Sequence, residues 1–545
     1  MSIQPSNSAI TFPTPDLMAI RFERFGLPEY DLFLKAKRLP ESQTFFEPDG
    51  EFYHIEAPAR FAAMLGVEVP TDPRAGLEFN PLAYDDQAEI VRMALASKRF
   101  ACWSDCGLGK TFIGLEFARH VVYRTGGRFL IVTLNEIVPQ WIEECQHFYG
   151  DALELHRIES RQAMREFCKD GPAGAIGITN YEKWNPEDLD HQIVTEARHL
   201  AGIALDESNR LAMGGGKQKW AIIKSCRGIE YKLSLTATPA PNDTMEFASQ
   251  ASFLEKMRSE GEIIWTYFQR DPKTHRWAVK PHARRAFFEF MSSWSIYVRD
   301  PRKYGWRLDM PTVPEPEIIV HELAATEEQK AIVAKLTASA DGQMDLFFSR
   351  DVNAIQANRL SQAAKGFIYR KGGERVADPV KSLKPGYVAD LVQTDHAASL
   401  QVLVWTIFDA ESTILAKLLK KRGLEFDIIT GATKEEDRIE KITAFKVGRT
   451  PILISRASML GFGMNFQCCG SMVFSGFSYS YVQFYQAIRR AYRQGQMKRV
   501  RVHVPVVQGL EEDMYEALIR KQGAHEAAIA DMEYNYIRAR RLLAS

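Results

Sequence analysis

Short apolar runs alternate with helical stretches twice along this chain, and that double alternation leaves few folds open. The first set of runs is "RFACW" (99–103), "RFLIVTL" (128–134), "GAIGIT" (174–179), "GIALD" (202–206) and "KLSLTAT" (232–238). The second is "LQVLVWTIF" (400–408), "FDIIT" (426–430), "PILIS" (451–455), "SMVFSG" (471–476) and "RVRVHVPVV" (499–507). Each run is short, aliphatic and bounded by turn residues, as parallel strands buried on both faces are. Strand–helix–strand units cross over right-handed and build parallel sheets covered by helices. The expected fold class is α/β, with two parallel-sheet domains and a mainly helical insertion between them. The expected divisions are an N-terminal extension at 1–76, a first domain at 77–250, the helical, charged insertion at 251–395, a second domain at 396–510 and a C-terminal helical segment at 511–545. In the extension, "FFEPDGEFYHI" (45–55) reads as a hairpin around Asp49-Gly50.

A chain of 545 residues, 46% apolar, can bury several cores. Lys+Arg and Asp+Glu both total 69, so a nucleic-acid binder of this composition must gather its basic residues in a cleft or on one face. Residues 269–307 hold ten Lys/Arg against three Asp/Glu, with Trp277, Phe287, Phe288, Phe290, Trp294, Tyr297, Tyr304 and Trp306 among them. Such a mixture can stack on bases and hold phosphates. Equally, the Phe287–Phe290 cluster fits a helix core with basic residues facing water. Arg284 and Arg285 are the candidates for DNA contact here. The seven cysteines show no CxxC and no metal-type spacing, which points to reduced thiols. There is no export-signal pattern, and no apolar run approaches the roughly 18–20 residues that span a bilayer, so a soluble cytoplasmic protein with no membrane association is expected.

The chemistry begins at "SDCGLGKT" (104–111), which follows a strand and opens the helical "TFIGLEFARHVV". It departs from the phosphate-loop pattern GxxxxGK[ST] only in Ser104, where the first Gly would stand. Gly107 and Gly109 let backbone amides approach phosphate oxygens, Lys110 would reach the β- and γ-phosphates of ATP, and the Thr111 hydroxyl would ligate Mg²⁺. "IALDES" (203–208) ends an apolar run in two carboxylates, 96 residues after Lys110. Neighbouring strand side chains point apart, so Asp206 and Glu207 take different work. Asp206 suits the Mg²⁺ shell, and Glu207 suits orienting and deprotonating the attacking water. Gln87, about twenty residues before the loop, offers an amide that pairs with both edges of adenine. In "LTATPAPND" (235–243), Thr236 and Thr238 could link hydrolysis to a neighbouring surface, although a Pro-rich loop after a strand needs no function.

Near the end, "QAIRRAYRQGQ" (486–496) carries three arginines and nothing acidic. Read as a helix, it places Gln486, Arg490 and Arg493 on one face. A solvated basic helix would look the same. With an ATP site elsewhere in the chain, however, Arg490 and Arg493 become candidates for the arginine that meets the departing γ-phosphate, an effect worth roughly 10³–10⁵ in rate. If they belong to the second domain, the site is complete only when the halves close, and the protein is a motor.

The ordered set resembles helicase superfamily two, specifically the SWI/SNF-like ATP-dependent DNA translocases of the compact bacterial or phage kind, over roughly residues 77–510. "DCGLGKT" is similar to that family's motif I, "LIVTLNEIVPQW" (130–141) to motif Ia, and "ITNYEKW" (178–184) to the Tyr-containing motif that follows. "LDES" resembles motif II, "LTATPAPN" motif III, "SMLGFGMNF" (458–466) motif V and "QAIRRAYRQGQ" motif VI, while "WSIYVRDPRKYGWRLDMP" (294–311) resembles the basic stretch before the interdomain linker. The resemblance implies two RecA-like domains forming a helicase core, with helical protrusions at 251–395. It implies ATP and Mg²⁺ as cofactors and duplex DNA as the partner. It adds Gln486 to the ATP site, Gly461 and Gly463 to the coupling elements and Arg299 to the DNA contacts. Two departures stand out: Asn209 in motif II where many members have His, and Tyr492 in motif VI where His is usual. The expected function is an ATP-hydrolysing motor that translocates on duplex DNA, in a bacterial cell or a phage-infected host. The alternatives are an RNA or DNA strand-separating helicase and an ATP-gated nucleic-acid clamp that does not travel. A protein partner such as a nuclease, the polarity and the pathway stay open.

Overall fold

The structure is a computed structural model that describes residues 8–14, 17–22, 26–46, 53–67, 77–184, 197–213, 216–240, 244–270, 277–307, 313–338, 349–370, 376–457, 459–460, 465–493 and 496–544. It divides into two compact units, one formed by Met1–Leu308 with His525–Ser545, the other by Asp309–Ala524.

The first unit opens with four antiparallel strands, β1 (Ser8–Thr14), β2 (Leu17–Phe22), β3 (Gln43–Phe46) and β4 (Tyr53–Pro58), in the order β1-β2-β4-β3. Met18, Ile20, Phe22 and Ile55 alternate inward and pack with Ala36 and Leu39 of the helix region that follows β2. β3 and β4 pair with Phe46 opposite Tyr53, while Asp49-Gly50 lie outside the described residues.

The main sheet of this unit contains β5 (Arg99–Ser104), β6 (Phe129–Thr133), β7 (Leu155–Arg157), β8 (Ile176–Asn180), β9 (Gly202–Asp206) and β10 (Tyr231–Leu235). A small antiparallel ribbon, β11 (Phe268–Arg270) and β12 (Trp277–Val279), precedes its last strand, β13 (Ser295–Val298). The order is β13-β5-β10-β9-β6-β8-β7 and every pairing is parallel. β6, β8, β9 and β10 are buried along their whole length; β6 and β9 are accordingly almost wholly apolar, while β10 buries Lys232, paired with Glu255, and Ser234, bonded to Gln250.

In the second unit, β14 (Glu317–Leu323) is followed by the short antiparallel pair β15 (Phe367–Tyr369) and β16 (Ala377–Pro379). Then come β17 (Gln401–Thr406), β18 (Asp427–Ile429), β19 (Ile452–Arg456), β20 (Cys469–Phe474) and β21 (Arg501–Val507). Six of these form a parallel sheet ordered β14-β21-β20-β17-β19-β18. Val402 and Val404 enter one core with Val388, Val392 and Leu415, while Leu403 and Trp405 enter the other with Met472, Phe474 and Val504. The sheet is therefore covered on both faces. The fold is α/β with two parallel-sheet domains, as expected. The stretch 251–395, expected to be mainly helical, also supplies an edge strand to each sheet, β13 and β14.

All seven cysteines are free thiols. Among the described residues, no group of His, Cys, Asp and Glu could hold a metal by itself, and no helix is long and apolar enough to cross a membrane.

Candidate active site

β5, β10 and β9 lie side by side in the first unit, and their carboxyl ends gather the candidate residues. Leu235 of β10 pairs with Cys102 on one side and Asp206 on the other, so the P-loop strand and the Asp206 strand flank the strand that leads to Thr236 and Thr238. Ligands of open parallel sheets bind at such carboxyl ends.

After β5 the chain turns sharply. Asp105 N–H donates to Val298 O of β13 (2.8 Å), which fixes the loop's entry. Gly107 and Gly109 take φ of 88° and 70°, a region that costs an L side chain about 1–2 kcal/mol. Gly109 is also crowded, since a Cβ there would lie 2.3 Å from Gln87 Nε2. The helix Lys110–Thr125 begins at once. Lys110 Nζ donates back to the loop's own carbonyls, Ser104 O (2.9 Å) and Asp105 O (3.3 Å), and Thr111 is half-buried one residue on.

Gln87 sits in the first turn of the helix Asp85–Ser97, where its Oε1 accepts the Tyr84 N–H (3.1 Å). The amide expected to read adenine is thus already part of a helix cap, with its nitrogen over the P-loop. Beside it Asp86 is buried, and its Oδ1 has no hydrogen-bond partner among the described residues. Burial pushes this carboxyl up to about 6. Nothing in the sequence singled it out, because "DDQ" also reads as an ordinary acidic helix start.

Asp206 is held by three donors. Thr133 Oγ1 and Trp141 Nε1 both donate to Oδ2 at 2.9 Å, and the Glu207 N–H donates to Oδ1 at 3.0 Å. Burial raises this carboxyl above its ordinary value, against the opposing hydrogen bonds of Trp141 and Thr133 and the charge of Lys110. A carboxylate disfavoured as an anion gains from a cation beside it, so the donor set fits Mg²⁺. Tyr181 steadies the same turn by donating to Asp206 O (2.7 Å). Thr133, Trp141 and Tyr181 lie in the stretches quoted for family resemblance, yet their aim at Asp206 depends on three separate elements meeting.

Glu207 adopts φ 50°, a strained backbone for a non-glycine residue. Its Oε2 lies 3.5 Å from Thr236 Oγ1, which accepts the Thr238 N–H (3.2 Å). Asn209 Nδ2 donates to Thr238 Oγ1 (3.0 Å). The structure thus joins Glu207, Thr236, Thr238 and Asn209 in one chain of contacts.

In the second unit, the helix Tyr481–Arg489 stops before Arg490, so Gln486 and Arg493 do not share one continuous helical face as the sequence suggested. At the helix end Arg490 turns its guanidinium inward, donating to Leu460 O (2.8 Å) and Ala457 O (3.3 Å), with Trp405 beneath it. Arg490 and Gln486 are buried, whereas Arg493 is half-buried beyond the helix end. Gly461 and Gly463 lie outside the described residues.

The three DNA candidates are placed differently. Arg284 is paired with Asp531 and Arg285 with Glu289 (2.8 Å), while Arg299 is exposed. Phe287, Phe288, Trp294, Tyr297, Tyr304 and Trp306 are buried. Most aromatics of the basic stretch are therefore core, which decides that question in favour of packing.

Residues 384–495 match the helicase conserved C-terminal domain, and residues 81–241 match the type III restriction enzyme, res subunit. A putative ATP-dependent helicase/translocase, YwqA of Bacillus subtilis, is 22% identical over 440 residues, covering 77% of this chain and 45% of the relative. Mouse chromodomain-helicase-DNA-binding protein 1-like is 22% identical over 473 residues, covering 79% of this chain and 48% of the relative. Putative protein p41 of Acyrthosiphon pisum secondary endosymbiont phage 1 is 22% identical over 440 residues, covering 76% of this chain and 88% of the relative. The chain spans about half the length of the first two. Among solved structures, the Sulfolobus solfataricus SWI2/SNF2 ATPase core in complex with dsDNA aligns over 84% of this chain and 96% of that one, at 18% identity and a TM-score of 0.37. Most of the motif set falls within these two matched domains, and the chain carries the paired domains of a superfamily-two helicase.

Proposed function

We propose that this ATPase is a motor that translocates on duplex DNA in the cytoplasm of a bacterial cell or a phage-infected host. The observation that carries the reading is the contact chain from Glu207 through Thr236 to Thr238, which ties the proposed water-activating carboxylate to the loop after β10. A motor must link hydrolysis to a neighbouring surface, and this contact chain is where such a link would begin; an ATP-gated clamp that does not travel is separated from it by the displacement test below. The names of the relatives, a helicase/translocase and a DNA-binding helicase, support the same reading.

In this mechanism the P-loop amides and Lys110 hold the phosphates, and Lys110 exchanges its Ser104 and Asp105 carbonyls for phosphate oxygens. Thr111 and Asp206 would hold Mg²⁺, which would supply charge neutralisation at the phosphates. Glu207 orients the attacking water and takes its proton. Gln87 and Gln486 contribute to nucleotide binding, and Arg493 stabilises charge on the leaving phosphoryl group. Thr236 and Thr238, with Gly461 and Gly463, pass the state of the nucleotide to the DNA contacts, among which Arg299 is included.

Lys110→Ala and Glu207→Gln should both abolish turnover and differ in binding. The first loses ground-state phosphate contacts and ATP affinity; the second still binds ATP and leaves it unhydrolysed. Steady-state ATPase should rise with duplex DNA and not with duplex RNA, and the enzyme should displace a triplex-forming strand. Stimulation by RNA alone would make it an RNA helicase, and stimulation without displacement would make it a clamp.

A further inference from the structure

Glu207 keeps a φ of 50°, and a strained residue persists only where its surroundings over-determine it. The residue after it is held at three points. Ser208 N–H donates to Leu235 O at the end of β10 (2.9 Å). Ser208 O accepts Gln250 Nε2 and the Leu211 N–H, each at 2.9 Å. Ser208 Oγ lies 2.8 Å from Ser234 Oγ, and Ser234 Oγ is also bonded to Gln250 Oε1. Ser208, Ser234 and Gln250 thus close a ring of hydrogen bonds, and none of them has exposed surface.

An amide is a demanding choice for this place. The helix that carries Gln250, Phe247–Phe253, is buried throughout, and Phe247, Ala248, Ala251 and Phe253 are among its other residues. A buried amide costs stability unless its donor and its acceptor are both paired, a demand that leucine does not make. Both ends of this amide serve Ser208, one directly and one through Ser234. Thr236 Oγ1 meets the Glu207 carboxylate at 3.5 Å, so Glu207 is touched at its tip and braced at its backbone. A catalytic group needs such support to stay within about 0.5 Å of its working position.

We propose that Gln250 is a positioning residue for ATP hydrolysis, which through Ser208 and Ser234 holds the Glu207 carboxylate on the attacking water. This rests on the water-activating role of Glu207 given above. The test uses the full chain with Gln250→Met, which keeps the side-chain length and loses both bonds, and with Gln250→Glu. A neutral carboxyl offers one donor and one acceptor, as the amide does, whereas its anion cannot donate to Ser208 O. Burial favours the neutral form, so Gln250→Glu carries its own switch. Gln250→Met should lower kcat roughly a hundredfold, the cost of misplacing a group by about 1 Å, with ATP affinity within about twofold of wild type. Relative to wild type, Gln250→Glu should turn over normally at low pH and lose activity as pH rises, with unchanged circular dichroism. A purely structural role would lower the unfolding midpoint of both variants and leave kcat per folded molecule, and its pH profile, as in wild type. Wild-type kcat in Gln250→Met overturns the proposal. So does a ratio of Gln250→Glu to wild type that is flat in pH, which decides alone if Gln250→Met does not fold. Retained turnover in Glu207→Gln would instead remove the role assigned to Glu207, so the two failures are separable.

Discussion

Arg490 and Arg493 stand three residues apart and are held in different ways. Arg490 satisfies the carbonyls of Ala457 and Leu460 from a buried position, so its first task is to hold these two residues in place. Arg490→Ala should lower the stability of the second unit by about 1–3 kcal/mol, the cost of leaving buried acceptors unmet. Arg493→Ala should leave the unfolding midpoint unchanged and cut DNA-stimulated turnover by roughly 10³-fold or more. Chemical denaturation paired with ATPase assays separates the two. Asp86 offers a pH test. Burial places its folded value near 6, above the roughly 3.9 of an unfolded aspartate, so between these values the folded state holds more protons. Stability from this group is present at low pH and lost as pH rises through about 4 to 6. Asp86→Asn should therefore stabilise the protein by about 1–2 kcal/mol at pH 7 and make little difference near pH 4. A destabilised variant at pH 7 would mean that the charged carboxylate has a partner. Lys110, Asp206 and Glu207 could be proposed from sequence because phosphate and metal chemistry ask for fixed residue types at fixed spacing, and the structure gathers them at the carboxyl ends of β5 and β9. Trp141 and Thr133 were not, since their value lies in reaching one carboxylate from two elements.

At the scale of elements, the ten apolar runs read from the sequence became strands, because burial on both sheet faces favours aliphatic residues. Within the two parallel sheets, the strands that escaped notice are β7, β13 and β14. β7 and β14 are edge strands with exposed positions, and β13 hides within a basic, aromatic sequence. β13 matters beyond its length, since its Val298 carbonyl anchors the P-loop at Asp105. The loop's other constraint is Gly109, where a methyl group meets both a positive φ and the Gln87 amide. Gly109→Ala should weaken ATP binding at least tenfold and lower stability by about 1–2 kcal/mol. Nucleotide titration and thermal unfolding read these separately. Unchanged ATP affinity would mean the loop has room that the Gln87 contact denies.

For the whole molecule, the helix Glu512–Ala544 divides between the units at Ala524 and His525. Its earlier part places Met514 and Leu518 in the core of the second unit. Its later part serves the first unit: Lys303 pairs with Glu533 (2.8 Å), Tyr304 meets Tyr536 edge-on, and Ile529 and Met532 are buried. Removing 525–545 should cost the first unit roughly 3–6 kcal/mol, from two buried side chains at about 1.5–3 each, and spare the second. Urea unfolding followed by unit-specific probes would show one midpoint falling. An equal shift of both would contradict the division.

That division bears on how the chain is made. The first unit is discontinuous in sequence, and all of Asp309–Ala524 is synthesised before its last segment leaves the ribosome. Domains generally fold in the order in which they emerge, but here the earlier unit waits for the later one. Until then, the hydrophobic patch awaiting Ile529 and Met532 is open to solvent and to other nascent chains. The second unit is whole once residue 524 has emerged, whereas the first cannot complete its core until the segment from His525 onward follows.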